Sequence, residues 1–120
     1  MKRAYLAVPA AFALGATAVV PLAIAEHPPG HAAKARVAVT AREFKFGLRP
    51  TSARHGSVTF TIKNVGKIAH DFKIAGKKTR NINPKKSTTL TVTLRKGTYH
   101  YLCTLPGHAA SGMKGRFRVS

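Results

Sequence analysis

Beyond residue 35 the chain alternates apolar and polar side chains in short runs, and this pattern leaves few folds open. Successive side chains of a β-strand point to opposite faces, so each run predicts a strand with one buried face. About seven such runs, separated by Gly, Pro and Asn turn signals, predict an antiparallel β-sandwich or barrel. No stretch after residue 25 has a helical period. The runs are Val37–Val39, Phe44–Leu48, Val58–Ile62, His70–Ile74, Leu90–Leu94, Tyr99–Cys103 and Met113–Val119.

The single cysteine of the chain lies in a segment that also offers an imidazole and a thioether. Cys103, His108 and Met113 are each separated by four residues, across a Pro-Gly turn. This mixed sulfur and nitrogen donor set suits copper, whose trigonal site takes two His and one Cys with a weak axial Met. The segment lacks one imidazole, which the rest of the chain has to supply.

Strand parity selects His70 as the missing imidazole. It lies in phase with Phe72 and Ile74, so its side chain is expected to point inward from the start of a strand. Cys103 and Met113 are in phase with the apolar residues of their own runs, which predicts that the donors meet at one pole of the sandwich. His100 is out of phase with Cys103 and is expected to face solvent. Of the remaining histidines, His55 falls in a turn, and His27 and His31 fall in a polar linker.

Two other chemistries for these donors are weaker. Structural zinc sites use four Cys or His ligands and rarely a thioether. Nucleophilic catalysis by Cys103 would need a base, a third orienting group and a substrate cleft. Asp71 is the neighbour of His70, but adjacent strand residues are expected to face opposite sides of the sheet.

The first 25 residues are predicted to be an export signal rather than part of the fold. Lys2 and Arg3 precede an uncharged run that ends in Ala23-Ile24-Ala25, as at a signal-peptidase site. If it is retained instead, the run is long enough to anchor the chain in a membrane. In either case residues 26–35, which contain Pro-Pro-Gly, read as a linker, and residues 36–120 form one domain in a periplasmic or extracellular compartment. After cleavage, His27 beside the new amino terminus is a candidate second, weak copper site.

The charge balance indicates an anionic partner. Without Lys2 and Arg3, 19 of the 21 Lys and Arg residues remain against three acidic residues, a net charge of +16. Such a surface attracts an acidic protein, an anionic cell-wall polymer or a lipid surface. Nucleic acid is excluded by the predicted export and by the absence of recognisable binding motifs.

The segment from Gly97 to His108 and the motif Gly112-Met113-Lys114-Gly115 resemble the blue copper proteins, the cupredoxins, and most of all the azurin, auracyanin and plastocyanin group. The resemblance extends over residues 36–120. It implies an all-β, Greek-key β-sandwich of about seven to eight strands. It also implies that Asp71 and Thr104 brace the loop after the cysteine.

The same resemblance implies one type 1 site that cycles between Cu(I) and Cu(II). His70, Cys103 and His108 would be its equatorial ligands and Met113 its axial ligand. The implied activity is one-electron transfer between larger redox partners. The charge predicts that these partners are acidic. Four protein ligands leave no open position on the metal, so the chain is expected to be a monomeric carrier and not an enzyme. Two alternatives stay open: a protein that buffers or delivers copper, and a basic anion-binding surface protein with a structural copper site.

Overall fold

The computed structural model describes residues 34–120, which fold into strands and loops. The strands in this range are β1 (Lys34–Arg42), β2 (Lys45–Arg49), β3 (Ser52–Ala53), β4 (Gly56–Asn64), β5 (Lys73–Ile74), β6 (Lys77–Lys78), β7 (Ser87–Leu94), β8 (Gly97–Leu102) and β9 (Lys114–Val119). Three of them are only two residues long. No helix in residues 34–120 is long and apolar enough to cross a membrane.

The strands form two sheets. One has the order β2-β1-β4-β7, with β1 parallel to β4 and the other pairs antiparallel. The second has the order β3-β9-β8-β5-β6, with β3 parallel to β9. The chain crosses between the sheets after β2, β3, β4, β6 and β7, so sequence neighbours are often in different sheets.

Alternating side chains of both sheets build one core between them. Val58, Phe60 and Ile62 of β4 are fully buried, and the Phe60 ring contacts Phe117 of β9 at a centroid distance of 5.2 Å. Burying such side chains contributes roughly 1.5–3 kcal/mol each. The predicted all-β sandwich is confirmed. Residues 34–120 have nine strands instead of the seven to eight expected, because three are only two residues long, and the β1–β4 and β3–β9 pairs are parallel where antiparallel pairing was predicted.

Phe44 does not follow the predicted alternation. It lies with Glu43 in the turn between β1 and β2 rather than in a strand, and its side chain is 38 % exposed. The period-two pattern of Phe44, Phe46 and Leu48 therefore holds only for the last two, which pack against the core. A tight turn before Lys45 reverses the chain, and a turn residue has no obligatory face.

The predicted strand over His70–Ile74 is also mostly irregular. Only Lys73–Ile74 is a strand, and His70 forms an isolated bridge with Ile82. His70, Asp71 and Phe72 are all buried, so burial does not alternate along this segment, and the strand-based expectation for Asp71 does not apply. Each of these side chains has its own contacts at the pole of the sandwich, and those contacts override alternation.

The first described strand starts two residues before the predicted domain boundary at residue 36. The predicted export signal over residues 1–25 and nearly all of the predicted linker over 26–35 lie outside the described residues. Both remain predictions, as does the copper-binding role of His27.

Candidate metal centre

Three of the four predicted ligands converge at one pole of the sandwich. The ligand atoms of His70, Cys103 and His108 all lie within 4.8 Å of one another. Nδ1 of His70 is 3.2 Å from Nδ1 of His108, and Sγ of Cys103 is 3.4 Å from that same nitrogen. Atoms bound to one ion at about 2.0–2.3 Å lie roughly 3–4 Å apart, so this spacing fits one small cation.

His70 is fully buried and fixed at both its backbone and its ring. Its backbone exchanges hydrogen bonds with Ile82, at 3.1 Å from the His70 amide and 2.7 Å from the Ile82 amide. Its Nε2 lies 2.8 Å from Oε1 of Glu43. Its Nδ1 therefore faces the other donors while the far side of the ring is held by a carboxylate.

Asn64, at the end of β4, holds the loop that leads to His70. Its buried amide donates to the carbonyls of Ile68 and Ile82 at 2.8 and 2.7 Å. Its Oδ1 accepts from the amide of Gly66 at 2.8 Å. A buried amide with all these bonds made is a rigid support, because any change in the loop would leave a buried polar group unpaired.

Cys103 directly follows β8 and is fully buried. Burial raises the pKa of its thiol and the nearby Asp71 carboxylate adds to the rise, while the backbone amides of Asp71 and Leu105 act in the opposite direction. The Asp71 amide is 3.5 Å from Sγ. Burial therefore opposes formation of the thiolate, the form that binds a metal, and the Asp71 amide at the sulfur assists it.

Asp71 also braces the loop after the cysteine, as the resemblance implies. Its Oδ1 accepts from the Thr104 amide at 2.6 Å, and its Oδ2 accepts from the Thr104 hydroxyl. The segment that carries His70 is thereby tied to the segment that carries Cys103. Charge-assisted bonds of this kind are about twice as strong as neutral ones.

His108 sits on the surface side of the cluster. Its ring is half-buried in the loop between β8 and β9, and its backbone amide donates to the Leu105 carbonyl at 3.1 Å. The Phe44 ring packs edge-on against it, with centroids 5.1 Å apart and planes at 72°. Its neighbour Gly107 has φ +78°, a left-handed conformation that glycine adopts without strain.

Met113 is fully buried directly before β9. Its carbonyl accepts from the Cys103 amide at 3.0 Å, and its amide donates to the His108 carbonyl at 3.1 Å. The backbone of Met113 therefore closes the loop that carries two of the donors. Its role as axial ligand stays a prediction.

The donor set fits copper better than the alternatives. A thiolate and two imidazoles, with a thioether on the same loop, form the soft set expected for a blue copper site. Asp71 and Glu43 both hold neighbouring groups by hydrogen bonds instead of offering an oxygen to the cluster. Catalysis by Cys103 is disfavoured because the thiol is fully buried.

Glu43 is the residue at this centre that the sequence analysis did not identify. It lies 27 positions before His70 and carries no recognisable motif. One signal was available: the chain has only three acidic residues, and the two in the described range, Glu43 and Asp71, both lie at this centre. His100 is exposed, as expected, and His55 bonds the Ser120 carbonyl far from the cluster.

Comparisons with known proteins identify the family and the fold. A family model described as "Cupredoxin-like domain" matches residues 10–114. No curated protein matches the chain.

Among solved structures, rusticyanin from Thiobacillus ferrooxidans is 28% identical, with a TM-score of 0.62 over 72% of this chain and 77% of that one. Auracyanin A, a "blue" copper protein from Chloroflexus aurantiacus, is 20% identical, with a TM-score of 0.62 over 73% of this chain and 100% of its own. A copper-containing nitrite reductase from Thermus scotoductus is 18% identical, with a TM-score of 0.59, and the match covers 28% of that chain.

Proposed function

The chain belongs to the family of cupredoxin-like domains, and from this premise we propose that it is a one-electron carrier with a single copper site. The observation that carries the proposal is the convergence of His70, Cys103 and His108 within 4.8 Å. Copper would supply the Cu(I)/Cu(II) couple in this site. Met113 is proposed as the weak axial ligand, because it is buried on the same loop.

The protein's own contribution is to hold the donors still. Asn64 and Glu43 fix the segment and ring of His70, and Asp71 ties that segment to the loop after Cys103. A frame of this kind leaves the ligands little freedom to rearrange when the charge of the site changes. Small rearrangement is what fast electron transfer requires, and the surrounding hydrogen bonds tune the site.

Electrons are proposed to enter and leave through His108. It is the only one of the three clustered donors that is not fully buried. The exposed large hydrophobic side chains of residues 34–120 are Phe44, Val65 and Ile68. Phe44 packs on His108, and the other two lie on the loop whose Lys67 amide bonds Glu43. An apolar surface around one imidazole lets a partner approach without burying unpaired charge.

We also propose that the chain does not catalyse a reaction of its own. Some proteins with this fold are enzymes, as the nitrite reductase shows. Here, however, Cys103 and His70 are fully buried, so a substrate atom has no direct approach to either.

The partners are proposed to be acidic redox proteins. All 19 Lys and Arg residues that remain without Lys2 and Arg3 lie in residues 34–120, and every one is exposed. On β9, for example, Lys114, Arg116 and Arg118 occupy the three outward positions. Since both described carboxylates lie at the metal centre, the rest of this surface steers anionic molecules toward the protein. An anionic cell-wall or lipid surface is the competing target.

The protein is proposed to work outside the cytoplasm, exported by residues 1–25 or anchored by them. The support is the charge and cleavage pattern of that segment. An exported location also agrees with one cysteine that is held as a ligand instead of being paired in a disulfide.

The decisive experiment loads the domain with Cu(II) and records visible and electron paramagnetic resonance spectra. We expect an intense blue thiolate charge-transfer band that is lost in Cys103→Ala and kept in the control His100→Ala, whose histidine is exposed on β8. A colourless protein with stoichiometric zinc would overturn the proposal. Reversible voltammetry then separates an electron carrier from a copper buffer or delivery protein, which would not need to cycle.

A further inference from the structure

The turn between β1 and β2 contacts both imidazoles of the metal centre. Its first residue, Glu43, places Oε1 2.8 Å from Nε2 of His70, and its second, Phe44, packs its ring against His108. Glu43 lies 27 residues before His70 in sequence, and the turn joins β1 to β2, whereas His70 lies outside the named strands. One turn, distant in sequence, therefore contacts two of the proposed ligands and is placed to control how they are oriented.

We propose that Glu43 is a positioning residue that selects which nitrogen of His70 binds the metal and adds a fixed negative charge to that ligand. A neutral imidazole carries one N–H, and an ionised carboxylate can only accept a hydrogen bond. The proton of His70 must therefore sit on Nε2, facing Glu43. The lone pair on Nδ1 then points toward Cys103 and His108, where the metal is expected.

Glu43 is itself held in place. The Lys67 amide donates to its two oxygens at 2.9 and 3.2 Å. A glutamate carboxyl is ionised at neutral pH, and the hydrogen bonds from His70 and from this amide are made to that ionised form. Gly66 leaves the room it needs, because a Cβ there would overlap the Glu43 carboxylate and lie 3.1 Å from Cα of Arg42.

The charge of Glu43 has a consequence for the metal that rests on the proposed function. A carboxylate bonded to the outer nitrogen of a ligand histidine raises the basicity of that ligand. It stabilises the more positive ion, Cu(II), relative to Cu(I). The reduction potential is therefore lower than it would be with a neutral partner for His70.

The first test uses apoprotein, so it does not depend on copper. Long-range ¹H–¹⁵N correlation spectra at a pH of about 8, above the ordinary imidazole pKa of about 6.5, report which ring nitrogen carries the proton. We expect the Nε2–H form for wild-type His70 and a mixture of forms in Glu43→Ala. A wild-type His70 protonated on Nδ1 overturns the proposal whether or not any variant folds, and so does an unchanged Nε2–H form in Glu43→Ala.

The second test separates the charge from the hydrogen bond. Glu43→Gln keeps an oxygen that can accept from His70 but removes the charge. Its matched control, Thr93→Lys, makes the same change in net charge at an exposed position of β7, opposite Ser57 at the far end of β4. Voltammetry and competitive titration measure the potential and the copper affinity of each.

We expect Glu43→Gln to lose about tenfold in Cu(II) affinity relative to Cu(I), a rise of about 59 mV, and Thr93→Lys to stay near wild type. Equal potentials in Glu43→Gln and the control overturn the electrostatic role, even if the melting temperature of Glu43→Gln falls. A failure to bind copper at all in every variant would count against the proposed function, while the apoprotein spectra would still decide the role of Glu43.

Discussion

The two histidines of the metal centre are built into the protein in different ways. His70 is fully buried, and its ring and backbone are bonded to Glu43 and Ile82. His108 is half-buried on a loop, and Phe44 covers its ring by an apolar contact. The His70 half of the site is therefore held by a polar hydrogen-bond network, whereas the His108 half lies at the protein surface. The difference shows how one small site can be rigid and still be reached by a partner.

The largest expected effect comes from removing each imidazole in turn. Copper-loaded His108→Gly and His70→Gly should both lose the wild-type visible spectrum. Added imidazole should restore it only in His108→Gly, since that cavity opens to solvent while the cavity at position 70 is sealed. Visible titration with imidazole measures this, with His100→Gly as the control. Equal restoration in both variants would contradict the difference in access.

Removing the hydrogen bonds of Asn64, which hold the loop leading to His70, should lower the stability of the protein. Asn64→Ala removes the side-chain bond to the Ile68 carbonyl and the acceptor of the Gly66 amide, and it leaves the Ile82 carbonyl with the His70 amide as donor. It should lower the free energy of unfolding of the apoprotein by about 1–3 kcal/mol. Urea unfolding measures the loss. The control is Asn81→Ala, an exposed position that should be nearly neutral. Equal stability of the two variants would mean that Asn64 does not stabilise the loop that leads to His70.

Electron transfer through His108 should depend on the positive charge of the surrounding surface. An acidic redox protein that approaches His108 would be attracted by the exposed Lys and Arg side chains. Raising the ionic strength should therefore lower the second-order rate constant of electron transfer by about tenfold or more. Stopped-flow measurements over a salt series test this. A neutral small-molecule oxidant is the control and should show little salt dependence. A flat response with the acidic protein would rule out steering.

The smallest expected effect is a difference in backbone ordering between the two segments when copper binds. Copper binding should slow amide hydrogen exchange more in residues 105–112 than in residues 64–72, because the second segment is already held by Asn64 and Glu43. Exchange of apoprotein and loaded protein, followed by mass spectrometry, compares the two. A greater gain of exchange protection at residues 64–72 would contradict the conclusion that the His70 half of the site is already rigid without copper.

Local pattern predicted a large part of the fold. The predicted runs Val58–Ile62 and Leu90–Leu94 lie in strands, and the run from Met113 does so from Lys114 to Val119, because their apolar side chains alternate with no competing contact. The pattern failed at Phe44 and at Asp71. Phe44 occupies a turn, and Asp71 is buried by its bonds to Thr104. Hydrophobic periodicity cannot anticipate a side chain whose place is set by one specific contact.

By itself the sequence determined the sandwich, the copper-type donor set and the selection of His70, because donor chemistry and strand parity are local properties of the chain. Only the tertiary structure decided what surrounds the donors. Glu43 reaches His70 from a turn 27 residues away, and Gly66 leaves space for it. Such contacts join segments that are distant in sequence, and their partners are fixed by how the strands and loops pack rather than by spacing along the chain.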